Sequence, residues 1–216
     1  MLRAWLGSVC IGMGLVVTAA AQSGPLVLVI DEAASHVGIE VGKSGLFSFA
    51  GHAHDVVATR LAGQVRIDPA DLEHATVVLE LAAAGLRVSG KDEPPADVPL
   101  VQQVMEGERV LDVARFPVIA FASQRVIVTS RLAASAEVVI DGALTLHGVT
   151  RPMAIRASVT IGVGGRLTAR GSFVLKQSEF GIAPVTAAGG TIRVKDELDI
   201  QFTINTRTHD ETHTNR

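Results

Sequence analysis

The sequence predicts an all-β protein, folded as an antiparallel sandwich or barrel. Short alternating or apolar runs recur along the chain with turn residues between them, which is the spacing typical of antiparallel sheets. Only one segment has helical character. Gly63, Gly142 and Gly171 lie inside strand-like runs, as bends and bulges in curved, closing sheets require. With 216 residues, 48% of them hydrophobic, the chain is long enough for one domain with a substantial core, which we place at residues 22–205.

The first 21 residues have the order of a secretory signal peptide. A basic Arg3 precedes an apolar run over residues 4–17, and three alanines end at Ala21, which is the n-region, h-region and A-x-A order. We expect cleavage after Ala21, which leaves a periplasmic or secreted protein beginning at Gln22. The alternative is an uncleaved anchor helix.

Composition argues against several classes of function. The only cysteine, Cys10, leaves with the signal, so the mature chain has no disulfide and no thiol chemistry. Loss of Arg3 takes the formal charge from −3 to −4 and no basic run remains, which argues against nucleic acid as a partner. The mature chain has no further apolar run of transmembrane length.

Ten runs are predicted as strands. They cover residues 26–31, 37–41, 46–50, 61–67, 76–81, 118–128, 138–146, 153–161, 166–175 and 192–204. The last run has the cleanest alternation, with apolar residues at even positions and polar residues at odd ones. Asp196 interrupts it, which predicts either a bulge or a polar group that points inward.

Residues 97–108 are the predicted helix. Asp97 would cap it with Pro99 in the first turn, and Val101, Val104 and Met105 would form its apolar stripe. A helix this short needs packing to hold it, so we expect it against the sheet or over one end. After the last strand, the polar tail at residues 206–216 is expected to fray.

Alternation also selects candidate ligand-lining residues. On the run 166–175 the inward set includes Ala169 and Gly171, and small residues inside a barrel leave room for a ligand, unless larger neighbours fill the space. The full set predicted to line a ligand site is Phe47, Phe49, Leu144, Leu146, Val159, Leu167, Ala169, Phe173, Ile200 and Phe202.

His52 and His54 are the candidate metal ligands, because residues i and i+2 of a strand point the same way. A third ligand would have to come from His36 or His147. The apolar parity of the preceding residues puts both histidines on the opposite face, which favours solvated or hydrogen-bonded histidines, or a polar group near a ligand mouth. We therefore predict no metal and no cofactor other than a bound lipid.

No catalytic constellation stands out. The chain has no Walker loop, no Rossmann glycine pattern, no G-x-S-x-G elbow and no C-x-x-C pair. His147 lacks a recognisable orienting carboxylate and nucleophile, which a general base would need. Lys43 adjoins a predicted turn and, as a single charge, is expected to be solvated. The residues predicted to meet a polar head group are His52, His54, His147, Arg151 and Lys176.

Four stretches in chain order carry a resemblance to a known family. They are residues 30–37 (IDEAASHV), 110–123 (VLDVARFPVIAFAS), 142–151 (GALTLHGVTR, a hairpin turning at His147-Gly148) and 178–182 (SEFGI). Together they span nearly all of the chain after Gln22 and resemble the YceI-like polyisoprenoid-binding family. Gln177, where the family usually has arginine, the KDEPP stretch at 91–95 and the GHAHDV segment at 51–56 mark a divergent branch.

The resemblance implies an extended, lipocalin-like antiparallel β-barrel of about eight strands with one helical excursion. It also implies a long polyisoprenoid, or another quinone-like or fatty-acid-like amphiphile, held inside. Our leading hypothesis is an exported lipid carrier without covalent chemistry. The alternatives are a metal-binding protein or metal-dependent enzyme using His52 and His54, and an adaptor or stress protein whose barrel is filled.

Overall fold

The computed structural model describes residues 24–44, 54–91, 94–187 and 192–208. The elements within these ranges are β1 (Leu26–Ile30), β2 (His36–Ser44), β3 (His54–Ala58), β4 (Leu61–Asp68), β5 (Asp71–Ala82), β6 (Leu86–Val88), α1 (Val98–Glu106), β7 (Val118–Leu132), β8 (Ser135–Leu146), β9 (Val149–Ile161), β10 (Leu167–Lys176), β11 (Thr186–Ala187) and β12 (Ile192–Thr208). The predicted signal peptide, the predicted strand at 46–50 with Phe47 and Phe49, and His52 lie outside the described residues.

Eight strands close an antiparallel barrel. Their order around the ring is β1-β4-β5-β7-β8-β9-β10-β12, and β12 pairs back with β1. Closure gives each of these strands a partner on both sides, which removes the exposed sheet edge that an open sheet presents. The predicted all-β barrel of about eight strands with one short helix is confirmed, and the sandwich alternative is wrong.

Three further strands extend the wall beyond part of the ring. β2, β3 and β6 continue the sheet from β12, and each connects through a short segment to a ring strand: β1 to β2 through residues 31–35, β3 to β4 through 59–60, and β5 to β6 through a 3₁₀ turn at Ala83–Gly85. β2 was predicted as the run 37–41, whereas β3 and β6, with five and three residues, are too short for alternation to reveal them.

Two glycines allow phenylalanine rings to approach the barrel wall closely. A Cβ at Gly142 would come within 2.6 Å of the Phe121 ring, and a Cβ at Gly171 would come equally close to the Phe202 ring. Each ring thus occupies the space that a side chain would need. The predicted role of these glycines in curving the sheet therefore has a second part, which is to make room for an inward aromatic ring.

Buried side chains form two clusters at opposite ends of the barrel. One includes Leu28, Leu72 and Ala136, near the β4–β5 and β7–β8 hairpins; the other includes Leu111 and Phe180, near α1 and β6, and we call it the helix-end cluster. Some of the side chains of both clusters face a common interior space.

Helix α1 packs against the helix-end cluster, as predicted for a short helix. Val98, Val101 and Met105 make this contact. Two details of the prediction are wrong: Val104 is 46% exposed, and Asp97 is itself helical in its backbone angles and makes no side-chain capping hydrogen bond. At nine residues, α1 is short, and no helix within the described ranges is long and apolar enough to cross a membrane.

The last strand runs further than predicted. β12 continues to Thr208, so residues 206–208 belong to the barrel and not to a frayed tail. Thr206 is buried, and its hydroxyl accepts a hydrogen bond of 2.9 Å from the backbone amide of Leu167. The prediction failed because it took polar residues to be exposed. A buried hydroxyl fits a sheet interior when it is hydrogen-bonded.

Candidate ligand-binding site

An apolar cavity of about 200 Å³ lies inside the barrel. Its 24 lining residues come from β2, β4, β5, β7, β8, β9, β10 and β12, and every one is Ala, Val, Leu, Ile or Phe. A polar or charged group would lose its hydration there without gaining a side-chain partner, at a cost of roughly 2–7 kcal/mol for a neutral group. The interior is therefore suited to a hydrocarbon chain.

Most of the described residues that alternation selected do line this cavity. They are Leu144, Val159, Leu167, Ala169, Phe173, Ile200 and Phe202. Leu146 does not: it is buried in the helix-end cluster instead. It lies at the end of β8, beside the β8–β9 turn, where the inward direction leads into packed side chains.

Several lining residues from the first half of the barrel were not among those predicted. β5 contributes Val77, Leu79 and Leu81, and β4 contributes Val65 and Ile67. On β5 these residues alternate with Thr76, Val78 and Glu80. The same period of two was present in the sequence and was sufficient to select them.

His147 serves the β8–β9 turn. Its backbone has a positive φ of 52°, its Nδ1 atom lies 3.3 Å from the carbonyl oxygen of Phe180, and its ring centroid lies 4.5 Å from that of Phe116. These contacts join the hairpin to Phe180, in the segment that precedes β11, and to Phe116, in the segment that precedes β7. His147 is not among the residues that line the cavity.

The two predicted basic head-group residues are also engaged elsewhere. The Arg151 Nε donates a hydrogen bond of 2.9 Å to the carbonyl oxygen of Glu179, and the Lys176 Nζ lies 3.6 Å from a carboxylate oxygen of Glu197. Neither residue lines the cavity. The structure therefore does not gather the described members of the predicted head-group set at the apolar site.

The described residues provide no metal centre. Within the ranges that the structure covers, no three His, Cys, Asp or Glu side chains are grouped to hold an ion. His36 begins β2 and His147 lies in the β8–β9 turn. His54 begins β3, but its side chain, like the whole of His52, lies outside what the structure describes.

Asp196 marks a bulge, which was one of the two interpretations of the broken alternation. The register between β12 and β2 shifts between Val194 and Leu198. The Asp196 carboxylate accepts hydrogen bonds from the Ser178 hydroxyl at 2.6 Å and the Ser178 amide at 2.8 Å. Beside it, Gln177 is buried and its amide donates to the carbonyl oxygen of Lys195 at 2.8 Å.

These hydrogen bonds give stability a pH dependence. The Ser178 hydroxyl and amide hold the pKa of Asp196 below its ordinary value. The stability that these hydrogen bonds give the folded protein is fully present above the unfolded-state pKa, about 3.9. It is lost as the pH falls through the lower folded-state pKa. We expect Asp196→Asn to lower the melting temperature at pH 7 and to flatten its fall below pH 4. Asp199→Asn, at an exposed position of the same strand, is the control, and melting curves of Asp196→Asn that match wild type at every pH would contradict this role.

Comparison with known proteins agrees with this architecture. A family model described as the YceI-like domain matches residues 28–206. The crystal structure of Burkholderia cenocepacia BcnA is 17% identical with a TM-score of 0.63, over 82% of this chain and 98% of that one. A domain from Saccharophagus degradans, described as polyisoprenoid-binding and implicated in plant cell wall breakdown, is 13% identical with a TM-score of 0.60, over 85% of this chain and 99% of that one.

A third solved structure, the Campylobacter jejuni YCEI protein that crystallises with large solvent channels, is 14% identical with a TM-score of 0.56, over 71% of this chain and 85% of that one. No curated protein matches the chain significantly. At these identities the structural likeness shows the fold.

Proposed function

The chain belongs to the YceI-like domain family, and from that premise we propose that it is an exported binding protein that holds the hydrocarbon chain of a polyisoprenoid or a similar amphiphile inside its barrel. It binds without covalent chemistry. The observation that carries the proposal is the cavity, whose 24 lining residues are all apolar. The polyisoprenoid binding stated for the Saccharophagus degradans domain supports the same class of ligand.

The size of the cavity is consistent with useful affinity. A cavity of about 200 Å³ has room for roughly ten groups the size of water or methylene. Transfer of ten methylenes out of water contributes about 8 kcal/mol before the cost of association is subtracted. A hydrocarbon chain can thus bind without a strong contact to its polar end, and a long polyisoprenoid would extend beyond the cavity.

Titration of delipidated protein with farnesol, a 15-carbon isoprenoid alcohol, tests the proposal. We expect saturable binding of one molecule, with the negative heat-capacity change that apolar burial produces. Protein that takes up neither farnesol nor a 16-carbon fatty acid would overturn the proposal.

Export makes a direct prediction about the N-terminus. Because the n-region, h-region and small-residue end occur in order before Gln22, N-terminal sequencing of protein recovered from the periplasm or medium should begin at Gln22. Recovery of the protein only from the membrane, with Met1 intact, would contradict it.

The lipid proposal and the metal alternative make opposite predictions about bound metal. We expect extensively dialysed protein to retain no stoichiometric zinc, copper or iron, and the double substitution His52→Ala with His54→Ala to leave lipid content unchanged. Metal retained by wild type and lost from the double variant, measured by elemental mass spectrometry, would favour the metal-binding function.

A further inference from the structure

A cleft in the barrel wall lies beside the apolar cavity. The pairing of β1 with β4 ends where Val29 lies opposite Gln64, and the pairing of β2 with β3 begins where Gly38 lies opposite Val57. Residues 30–37 and 58–63 face each other across this interruption. Val37 and Leu61 line both the cleft and the inner cavity, so the two spaces adjoin each other at these side chains.

Specific contacts hold both sides of the cleft in place. On one side, the backbone amide of Asn205 donates to the Ser35 hydroxyl at 3.0 Å, and the Asn205 side-chain amide donates to the carbonyl oxygen of Ala34 at 2.5 Å. On the other side, Arg60 has a positive φ of 60° and the Thr59 amide donates to the carbonyl oxygen of Gly85 at 2.8 Å. These contacts fix the backbone on both sides of the cleft, so the cleft is part of the fold.

One hydrogen bond crosses from the 31–35 segment to the opposite rim. The backbone amide of Arg60 donates to a carboxylate oxygen of Glu32 at 2.7 Å. Asp31 lies on the same side of the cleft as Glu32. Its carboxylate accepts a hydrogen bond from the Ala34 amide at 3.2 Å. Of the ionisable residues that line the described cleft, Asp31 and Glu32 are acidic and Arg207 is basic.

The cleft has the chemistry that the inner cavity lacks. An amphiphile whose chain fills the cavity must keep its polar end in water or against polar partners, because an unpaired polar group in the apolar interior is costly. The cleft offers carboxylate acceptors directly beside that interior. A hydroxyl can donate to a carboxylate. A phosphate would meet two negative charges, from Asp31 and Glu32, and one positive charge, from Arg207, so the net charge of the cleft disfavours it.

We propose that this cleft is the polar-end subsite of the ligand site, and that the polar end it accepts is an uncharged hydroxyl and not a phosphate. The hydrocarbon chain lies in the cavity, passes Val37 and Leu61, and its hydroxyl emerges between residues 31–35 and 59–63. This inference rests on the proposed function, since it requires a chain in the cavity.

Photolabelling tests where the polar end lies. A farnesol derivative with a diazirine next to the hydroxyl is bound to the full mature protein, irradiated and mapped by peptide mass spectrometry. We expect labels in residues 31–37 and 58–63. Saturable binding with labels at residues 147–151, or at the hairpin tips 132–135 and 163–165, would overturn the subsite and leave the proposed function standing. Absence of saturable binding would overturn both.

The choice of head group is tested by competition between farnesol and farnesyl phosphate. Wild type should prefer farnesol, and the double substitution Asp31→Asn with Glu32→Gln should strengthen farnesyl phosphate binding by roughly three- to ten-fold, because it removes two nearby negative charges. Glu32→Gln retains an oxygen that can accept from the Arg60 amide. Farnesol binding should stay within a factor of about two.

Glu73→Gln with Glu137→Gln is the matched control, since it removes two exposed carboxylates that line neither the cavity nor the cleft. The control should leave the ratio of the two affinities unchanged. Tighter binding of farnesyl phosphate than of farnesol by wild type, or an equal change in the control and the cleft variant, would overturn the head-group assignment.

Discussion

Ala169→Trp is expected to abolish ligand binding while the delipidated barrel keeps nearly its wild-type stability. Ala169 lies on β10 opposite Val159 on β9 and Ile204 on β12, and all three residues line the cavity. An indole at this position has the ligand's space to occupy. In a filled barrel the same substitution would displace close-packed neighbours, and overpacking of that kind costs about 1–3 kcal/mol.

Stability is measured by thermal unfolding after delipidation, because a bound ligand itself stabilises the folded state. Binding is measured by farnesol titration. Ser172→Trp is the control, at an exposed position on the same strand, and should leave binding unchanged. The only tryptophan in the chain is Trp5, so in protein that begins at Gln22 the introduced indole is the sole one, and its emission should be blue-shifted only in Ala169→Trp. A clearly destabilised Ala169→Trp, with a wild type that binds no lipid, would contradict the carrier function.

Phe180→Ala is expected to destabilise the barrel by about 3–5 kcal/mol, as removal of a fully buried phenylalanine does. The Phe180 side chain is 0% exposed and belongs to the helix-end cluster. It ends the 3₁₀ turn Gln177–Phe180, which Asp196 holds through Ser178. Phe180 does not line the cavity, so ligand affinity should persist under conditions where the variant stays folded.

Phe173→Ala is the matched comparison, because Phe173 lines the cavity and is only partly buried. It should cost less stability than Phe180→Ala and should change ligand affinity. Denaturant unfolding supplies the first quantity and farnesol titration the second. A Phe180→Ala variant as stable as wild type would show that the helix-end cluster does not support the fold as described.

The alternation of side chains predicted the inward face of the barrel well where strands are long. It selected Val159, Ala169 and Ile200 because one buried face imposes a period of two on the sequence. The pattern alone left sandwich and barrel open. The contact that closes the ring pairs Leu28 with Thr208, and the residues of a local pattern carry no information about so distant a partner.

The polar part of the site was harder to predict, for a physical reason. A basic residue beside a turn looks the same in sequence whether its partner is a ligand or a backbone carbonyl, and Arg151 binds the carbonyl of Glu179. The cleft was missed because residues 31–35 resemble an ordinary turn. The cleft opens where the pairing of β1 with β4 ends and that of β2 with β3 begins. These end points depend on the register of the strands, which a local sequence pattern does not show.

Native mass spectrometry of the protein purified from its own cell envelope, without detergent, tests most directly whether the barrel interior is a ligand site. We expect a complex of one protein with one hydrophobic molecule, which on activation releases a ligand whose fragments show a long hydrocarbon chain. Protein at its bare polypeptide mass, unchanged after incubation with farnesol, would contradict the account.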